Sequence, residues 1–403
     1  MRAIVPLTAL LGLLGCTAGT ANPDGDPGPI SDGGGQTDGP AHVVGACNQL
    51  GTPGKWENIT APDLHQERWC SRGATNCPAN PISTYGAHAL AVDPVHAGTV
   101  YLGTDTLGFW KTTDCGKSWV KINTGAGQAE LDSGRNWTIV VDPMAPETLY
   151  TTPGYGMEGL WKSTNGGVDW KQMLTPAVLP HLQYGGFLEK INMDPTNHLH
   201  LTASMHILCQ NNPSGGGDWP CLAETRDGGE TWALINSGQG WSEGDGQTML
   251  SDKVWLFGNG AGLWRTTNGG SSWDQVYSKG ASGDVFTASD GTYYVGGSDG
   301  MLHSQDGISW APIAGTMQGS TVNGQRIIAS DGVHLYTSAG QYGGQEPTSG
   351  WYTTALVSAP NTWTPAFDAV TMDHGGSTLA YDPDHKILYS TNLTAGVWRV
   401  VLP

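Results

Sequence analysis

The sequence predicts an all-β fold, a seven-bladed β-propeller closed by an N-terminal strand that completes the last blade, and three observations lead there. Tryptophans recur at Trp119, Trp170, Trp232, Trp273, Trp310 and Trp363, roughly 40 to 60 residues apart, the spacing of a repeated supersecondary unit. Each interval divides into four short β-rich runs separated by turn residues. The final unit, "STLAYDPDHKILYSTNLTAGVWRVVLP", supplies only three runs, whereas "KWENIT" near the N-terminus has the form of a fourth run and belongs to no other unit. Radial repetition of such units leaves only short, protected sheet edges. A helical repeat is disfavoured by the abundance of Thr, Val, Trp and Gly and by the lack of a 3.6-residue apolar period.

The elements follow in order. The opening "MRAIVPLTALLGLLGC" places Arg2 before an apolar run too short for a permanent membrane span, which is the make-up of an export signal. Residues 16–46, rich in Gly, Pro and Asp, hold too few large apolar side chains to offset chain entropy and read as a flexible tether. Residues 47–403 then form the propeller. In its first repeat "HALAVD", "TVYLGT", "GFWKTT" and "SWVKIN" are the four runs, and "WTIVVD", "TLYTT", "GLWKST" and "DWKQML" repeat them.

Two local patterns resemble known families. "LLGC" is similar to the bacterial lipobox, which implies cleavage before Cys16, lipidation of its sulfur, and a lipoprotein of the cell envelope or outer membrane surface. The turns "KTTDCGKSW", "KSTNGGVDW", "ETRDGGETW", "RTTNGGSSW" and "HSQDGISW" resemble the Asp-box (BNR) repeat of sialidase-like and xyloglucanase-like propellers. In two of them Asn165 and Asn268 stand where the others have Asp114, Asp227 and Asp306. An amide can replace a carboxylate as a hydrogen-bond acceptor but not as an ionised catalyst, so these turns are expected to be structural.

The resemblance puts those turns on the rim opposite the face that binds ligands. Cys115 lies in one of them and Cys47 precedes the strand at Trp56 on the same rim, so a 47–115 disulfide would staple the ring closure. Six cysteines besides Cys16, in an exported chain, favour disulfides over metal chemistry. The short spacings Cys70 to Cys77 and Cys209 to Cys221 suggest two local staples.

Chemistry is expected on the other face, in the uneven loops that join strand four to the next strand one and strand two to strand three. The candidate acids and bases there are Asp105, Asp132, Glu158, Asp245, His181, Tyr184 and His206. Candidate substrate-binding groups are Arg68, Tyr85, His88, Arg135, Tyr155, Trp219, Trp241, Tyr342 and His374. Aromatic faces stack on sugar rings while carboxylates and imidazoles exchange protons, so this mixture suits a carbohydrate cleft.

"VYLGTDTLGFWKTTD" further resembles the first blade of xyloglucan-active glycoside hydrolases, and that resemblance implies a catalytic role for Asp105. Paired carboxylates would then flank one glycosidic bond, making the chain most simply a glycoside hydrolase acting on a polysaccharide or glycoconjugate. A polysaccharide lyase using His and Tyr on the same face, and a non-catalytic glycan- or protein-binding or assembly propeller, are the alternatives. "GGSDG" fits a nucleophile-elbow pattern but lies between two expected strands. The formal charge of -18, with only 18 Lys plus Arg, argues against nucleic acid as a partner. The remaining expectations are a carbohydrate ligand, no cofactor or metal, a monomer, and membrane contact only through the N-terminal lipid.

Overall fold

The structure, a computed structural model, describes residues 39–71, 74–156, 158–175, 177–179, 188–206, 221–236, 246–313, 328–338, 351–355, 364–367 and 377–403. Gly39–Pro403 is one compact unit. The chain enters through β1 (Val43–Val44), β2 (Trp56–Asn58), β3 (Trp69–Cys70) and β4 (Ile82–Ser83). β3 and β4 pair in parallel. Next come β5 (Ala87–Val92), β6 (His96–Ala97), β7 (Val100–Thr104), β8 (Phe109–Thr112) and β9 (Val120–Lys121). β5, β7, β8 and β9 form one antiparallel sheet, blade A, while β6 pairs in parallel with β1. The folded unit therefore takes in residues expected to belong to the tether.

A short helix, α1 (Gln128–Leu131), leads into blade B, made of β10 (Arg135–Val141), β11 (Leu149–Gly154), β12 (Leu160–Ser163) and β13 (Lys171–Leu174). Blade C comprises β14 (Leu188–Asp194), β15 (Asn197–Met205), β16 (Cys221–Thr225) and β17 (Ala233–Asn236). Blade D comprises β18 (Gly246–Met249), β19 (Trp255–Asn259), β20 (Gly262–Thr266) and β21 (Asp274–Tyr277). Blade E holds β22 (Ala281–Thr287), β23 (Tyr293–Gly297), β24 (Gly300–Ser304) and β25 (Ala311–Pro312). Blade F holds β26 (Ile328–Ser330), β27 (His334–Ser338), β28 (Trp351–Ala355) and β29 (Thr364–Ala366). The chain closes with β30 (Thr378–Asp382), β31 (Ile387–Thr391) and β32 (Val397–Val401).

The expectation of seven like blades is corrected here. Six blades, A to F, are each built from one repeat within one stretch of chain. The sheet that closes the ring is a composite in which β2, from the N-terminal side, lies antiparallel on β32, with Trp56 opposite Val400 and Asn58 opposite Trp398. In that sheet β2 covers the edge that β32 would otherwise leave open.

First strands of neighbouring sheets pack side by side, β30 on β5, β5 on β10, β10 on β14, β14 on β18 and β18 on β22, and so form the inner wall. The core lies between blades. Leu90, Val100, Leu102 and Trp110 of blade A meet Ile387, Tyr389 and Val397 of the closing sheet, with Ile59 and Trp119 completing the cluster. The indole N–H of Trp119 donates to the Ile59 carbonyl at 2.8 Å, so this tryptophan caps the seam rather than starting the fourth strand.

The repeated turn has the same hydrogen bonds whether its central residue is Asp or Asn. Asp114 Oδ1 accepts the Ser118 amide, and Asn165, Asp227 and Asn268 accept the amides of Asp169, Thr231 and Ser272, all at 2.9 Å. The preceding Thr or Ser hydroxyl accepts a glycine amide in each, at 2.9 to 3.0 Å. The Asp306 turn is tighter and binds the amides of Ile308 and Ser309. These acids are committed to backbone N–H groups, which is a structural task.

Cys47 is bonded to Cys115 and Cys70 to Cys77, with Cα–Cα distances of 5.6 and 5.4 Å. Cys209 lies outside the described residues, as do Met1–Asp38 with Cys16. Among the described residues no helix is long and apolar enough to cross a membrane.

Candidate functional site

At the start of the inner strand, three consecutive blades make the same departure from regular pairing. In blade A the register jumps between Ala87 and Ala89, leaving His88 as the extra residue. In blade B it jumps between Asn136 and Ile139, across Trp137. In blade C it jumps between Leu188 and Lys190, leaving Glu189. A β-bulge re-aims a side chain that regular alternation would turn elsewhere. Buried threonine hydroxyls satisfy two of the displaced carbonyls: Thr391 donates to His88 O at 2.9 Å and Thr152 to Glu189 O at 3.2 Å. Each comes from the second strand of the preceding sheet, so the bulges are built into the contacts between blades.

The bulged side chains converge. The His88 and Trp137 rings stack with centroids 6.4 Å apart, and His206, at the end of β15, meets Trp137 edge-on at 4.8 Å. Glu189 Oε2 lies 3.3 Å from His206 Nδ1. Tyr155 completes the patch, 5.7 Å from Trp137 and 6.3 Å from His206. Its φ of 53° holds it in the left-handed region and its side chain remains half-exposed. Such conformations are sparsely populated for non-glycine residues and concentrate at functional sites.

Behind this patch lies a buried cation. The Arg135 guanidinium sits 4.0 Å from the Tyr85 ring centroid and 4.6 Å from that of Tyr155, so two tyrosine rings lie against it. Its Nε is 4.0 Å from Asp105 Oδ1, and neither side chain is more than 7% exposed. Asp105 Oδ2 also accepts the Tyr85 amide at 2.6 Å, and Thr84 donates to the Asp105 carbonyl. Asp105 and Arg135, expected to meet substrate, thus neutralise each other beneath the surface. Burial, Arg135 and Lys190 together push His88 well below the ordinary histidine range, so its ring is neutral.

The other expected residues divide as follows. Asp132 is engaged by Lys121 Nζ at 2.6 Å and Asn123 Nδ2 at 2.8 Å, bracing the loop after α1. Arg68 donates to the Asn80 carbonyl at 2.9 Å and ties down the segment between β3 and β4. The backbone carbonyl of Glu158 accepts from Trp161 and Gln172, while burial pushes its carboxyl up from the usual carboxylate value. Asp245, His181, Tyr184, Trp219, Trp241, Tyr342 and His374 lie outside the described residues. Two members of the patch, Trp137 and Glu189, were not among the sequence candidates. Both read as interior strand residues, because a bulge is visible only in the pairing.

No known family profile matches the chain. It is 23% identical to a xyloglucanase from Paenibacillus sp over 350 residues, covering 74% of this chain and 32% of that protein. A xyloglucanase from Hypocrea jecorina is also 23% identical, over 308 residues, with 71% and 34% covered. The chain is a propeller with xyloglucanase relatives. It spans about a third of their length. Among solved structures, YCF48 from Cyanidioschyzon merolae has a TM-score of 0.53 at 11% identity, covering 87% of this chain and 99% of that one. That likeness is one of fold.

Proposed function

We propose that the protein is an exported, lipid-anchored glycoside hydrolase acting on a neutral polysaccharide of the xyloglucan class. The partly exposed aromatic patch of Trp137, Tyr155 and His206 carries this reading, because ring faces beside a carboxylate suit the C–H surfaces and hydroxyls of a sugar. Similarity to xyloglucanases over most of the chain supports the substrate class. The burial of Arg135 favours a neutral substrate. A uronate would need a cation to bind its carboxylate, and Arg135 is covered by two tyrosines and paired with Asp105. This weighs against the lyase alternative.

Hydrolysis needs one carboxyl that holds a proton and another that does not. The acid role falls to a carboxyl whose surroundings favour its protonated form. Lipidation at Cys16 would place the propeller on the cell envelope, and mass spectrometry of the mature N-terminus tests that part.

The activity is tested by incubating the purified protein with xyloglucan, other neutral β-glucans and uronate-containing polysaccharides. The expected result is new reducing ends from a neutral polymer without absorbance from unsaturated uronates. Unsaturated products would establish the lyase reading, and binding without either signal would refute catalysis.

A further inference from the structure

We propose that Glu189 is the catalytic carboxylate that activates water at this site, and that His206 is its positioning residue. The inference rests on the hydrolase reading above and names the second of its two carboxyls.

The backbone supplies the first argument. The Glu189 bulge is held by pairing on both sides, Leu188 with Met205 and Lys190 with Ser204, and by the Thr152 hydroxyl on its carbonyl. A bulge costs ladder hydrogen bonds, and here its effect is to aim a carboxylate at the aromatic patch. The bulged residues of the two preceding blades are an indole and a neutral imidazole, so Glu189 is the acid of the set.

Access supplies the second argument. The Glu189 and His206 side chains are 12% and 23% exposed, enough to meet a ligand at the patch yet sheltered from bulk water. His206 is held between Glu189 at 3.3 Å and the Trp137 ring at 4.8 Å, which places its ring beside the carboxylate. Among the described candidates, Asp105 has no exposed side-chain surface and Asp132 is bound by Lys121 and Asn123.

The step balances as a hydrolysis. The Glu189 carboxylate takes a proton from water as the water oxygen bonds to the anomeric carbon. The bond from that carbon to the glycosidic oxygen breaks, and the leaving oxygen takes the proton held by the acid partner. One water is added across one glycosidic bond, and proton exchange with solvent restores both carboxyls.

The test uses the full chain and whichever polysaccharide the wild type hydrolyses. Glu189→Gln should lower kcat by about 10²- to 10⁴-fold, the usual worth of a general base, with KM and the melting temperature little changed. Added formate should restore part of the turnover of Glu189→Ala, because a small carboxylate fills the vacated position. His206→Gln should lower kcat at unchanged KM without responding to formate. Undiminished turnover by Glu189→Gln, or a folded Glu189→Ala that formate does not rescue, overturns the assignment while the hydrolase reading stands. Failure of both Glu189 variants to fold assigns Glu189 a structural role and overturns it too. If the wild type hydrolyses no glycan, the inference falls together with the hydrolase reading.

Discussion

Asp227 shows how a single acid can be prominent in sequence and yet structural. Its carboxylate accepts from the hydroxyl and amide of Thr231, which pull its pKa down to about 2. The Ser309 and Ile308 amides do the same for Asp306, also to about 2. Because Asn165 and Asn268 serve in equivalent turns, Asp227→Asn should cost little, whereas Asp227→Ala should cost about 1 to 2 kcal/mol by orphaning the turn amides. Urea denaturation at pH 7 checks both. The folded pKa lies below the unfolded carboxylate value of about 3.9, so this stabilisation is present above that value and fades as pH falls toward 2. The acid dependence should therefore be weaker in Asp227→Asn.

At the scale of elements, the contacts between blades carry chemistry of their own. His200 on β15 is fully buried, with Nδ1 2.9 Å from Asp194 and Nε2 2.8 Å from Glu224. Asp252 of blade D lies 3.5 Å from the same ring and also pairs with Arg226 of blade C. Burial alone would lower the His200 pKa, but the hydrogen bonds it donates to Glu224 and Asp194 outweigh this and hold it above the ordinary histidine value. A raised folded pKa means that this clamp contributes fully below the unfolded value of about 6.5 and is lost as pH rises through the higher folded value. Melting temperature should therefore decline over that interval, and His200→Gln should flatten the decline. Asp252 was available to inspection as an acid beyond the end of β18. Its coupling to a neighbouring blade was not, because Asp252 approaches His200 only when blades C and D pack.

The whole molecule depends on joining its ends. β2 on β32, the Arg399–Glu57 ion pair at 2.9 Å and the Cys47–Cys115 disulfide all cross the closure. In the repeated turn Cys115 occupies a position that the corresponding turns give to glycine, with φ at 62°. A left-handed cysteine costs roughly 1 to 2 kcal/mol, and the crosslink offsets this. A loop of 68 residues places the disulfide's contribution at about 4 kcal/mol in the chain-entropy account. Cys47→Ser should lower the melting temperature accordingly. Addition of reductant should lower the wild-type value toward that of the variant, apart from any effect on Cys70–Cys77.

The repeat, its turns and the strand that closes the ring were legible because each is written in contiguous residues: a Thr or Ser, an Asx, a glycine and a tryptophan at short fixed offsets. Local hydrogen bonds decide such features, and local sequence encodes them. The count of like blades and the identity of the exposed site belong to the tertiary structure. Asp105 and Arg135 look like surface groups until pairing brings them together under Tyr85 and Tyr155, where a buried charge is tolerated only with a partner. Conversely, Trp137 and Glu189 look like interior strand residues until a one-residue slip in register turns them toward His206. Side-chain direction in a strand alternates with period two. One extra residue therefore reverses it, and pairing between strands, not the strand's own sequence, decides where that residue goes.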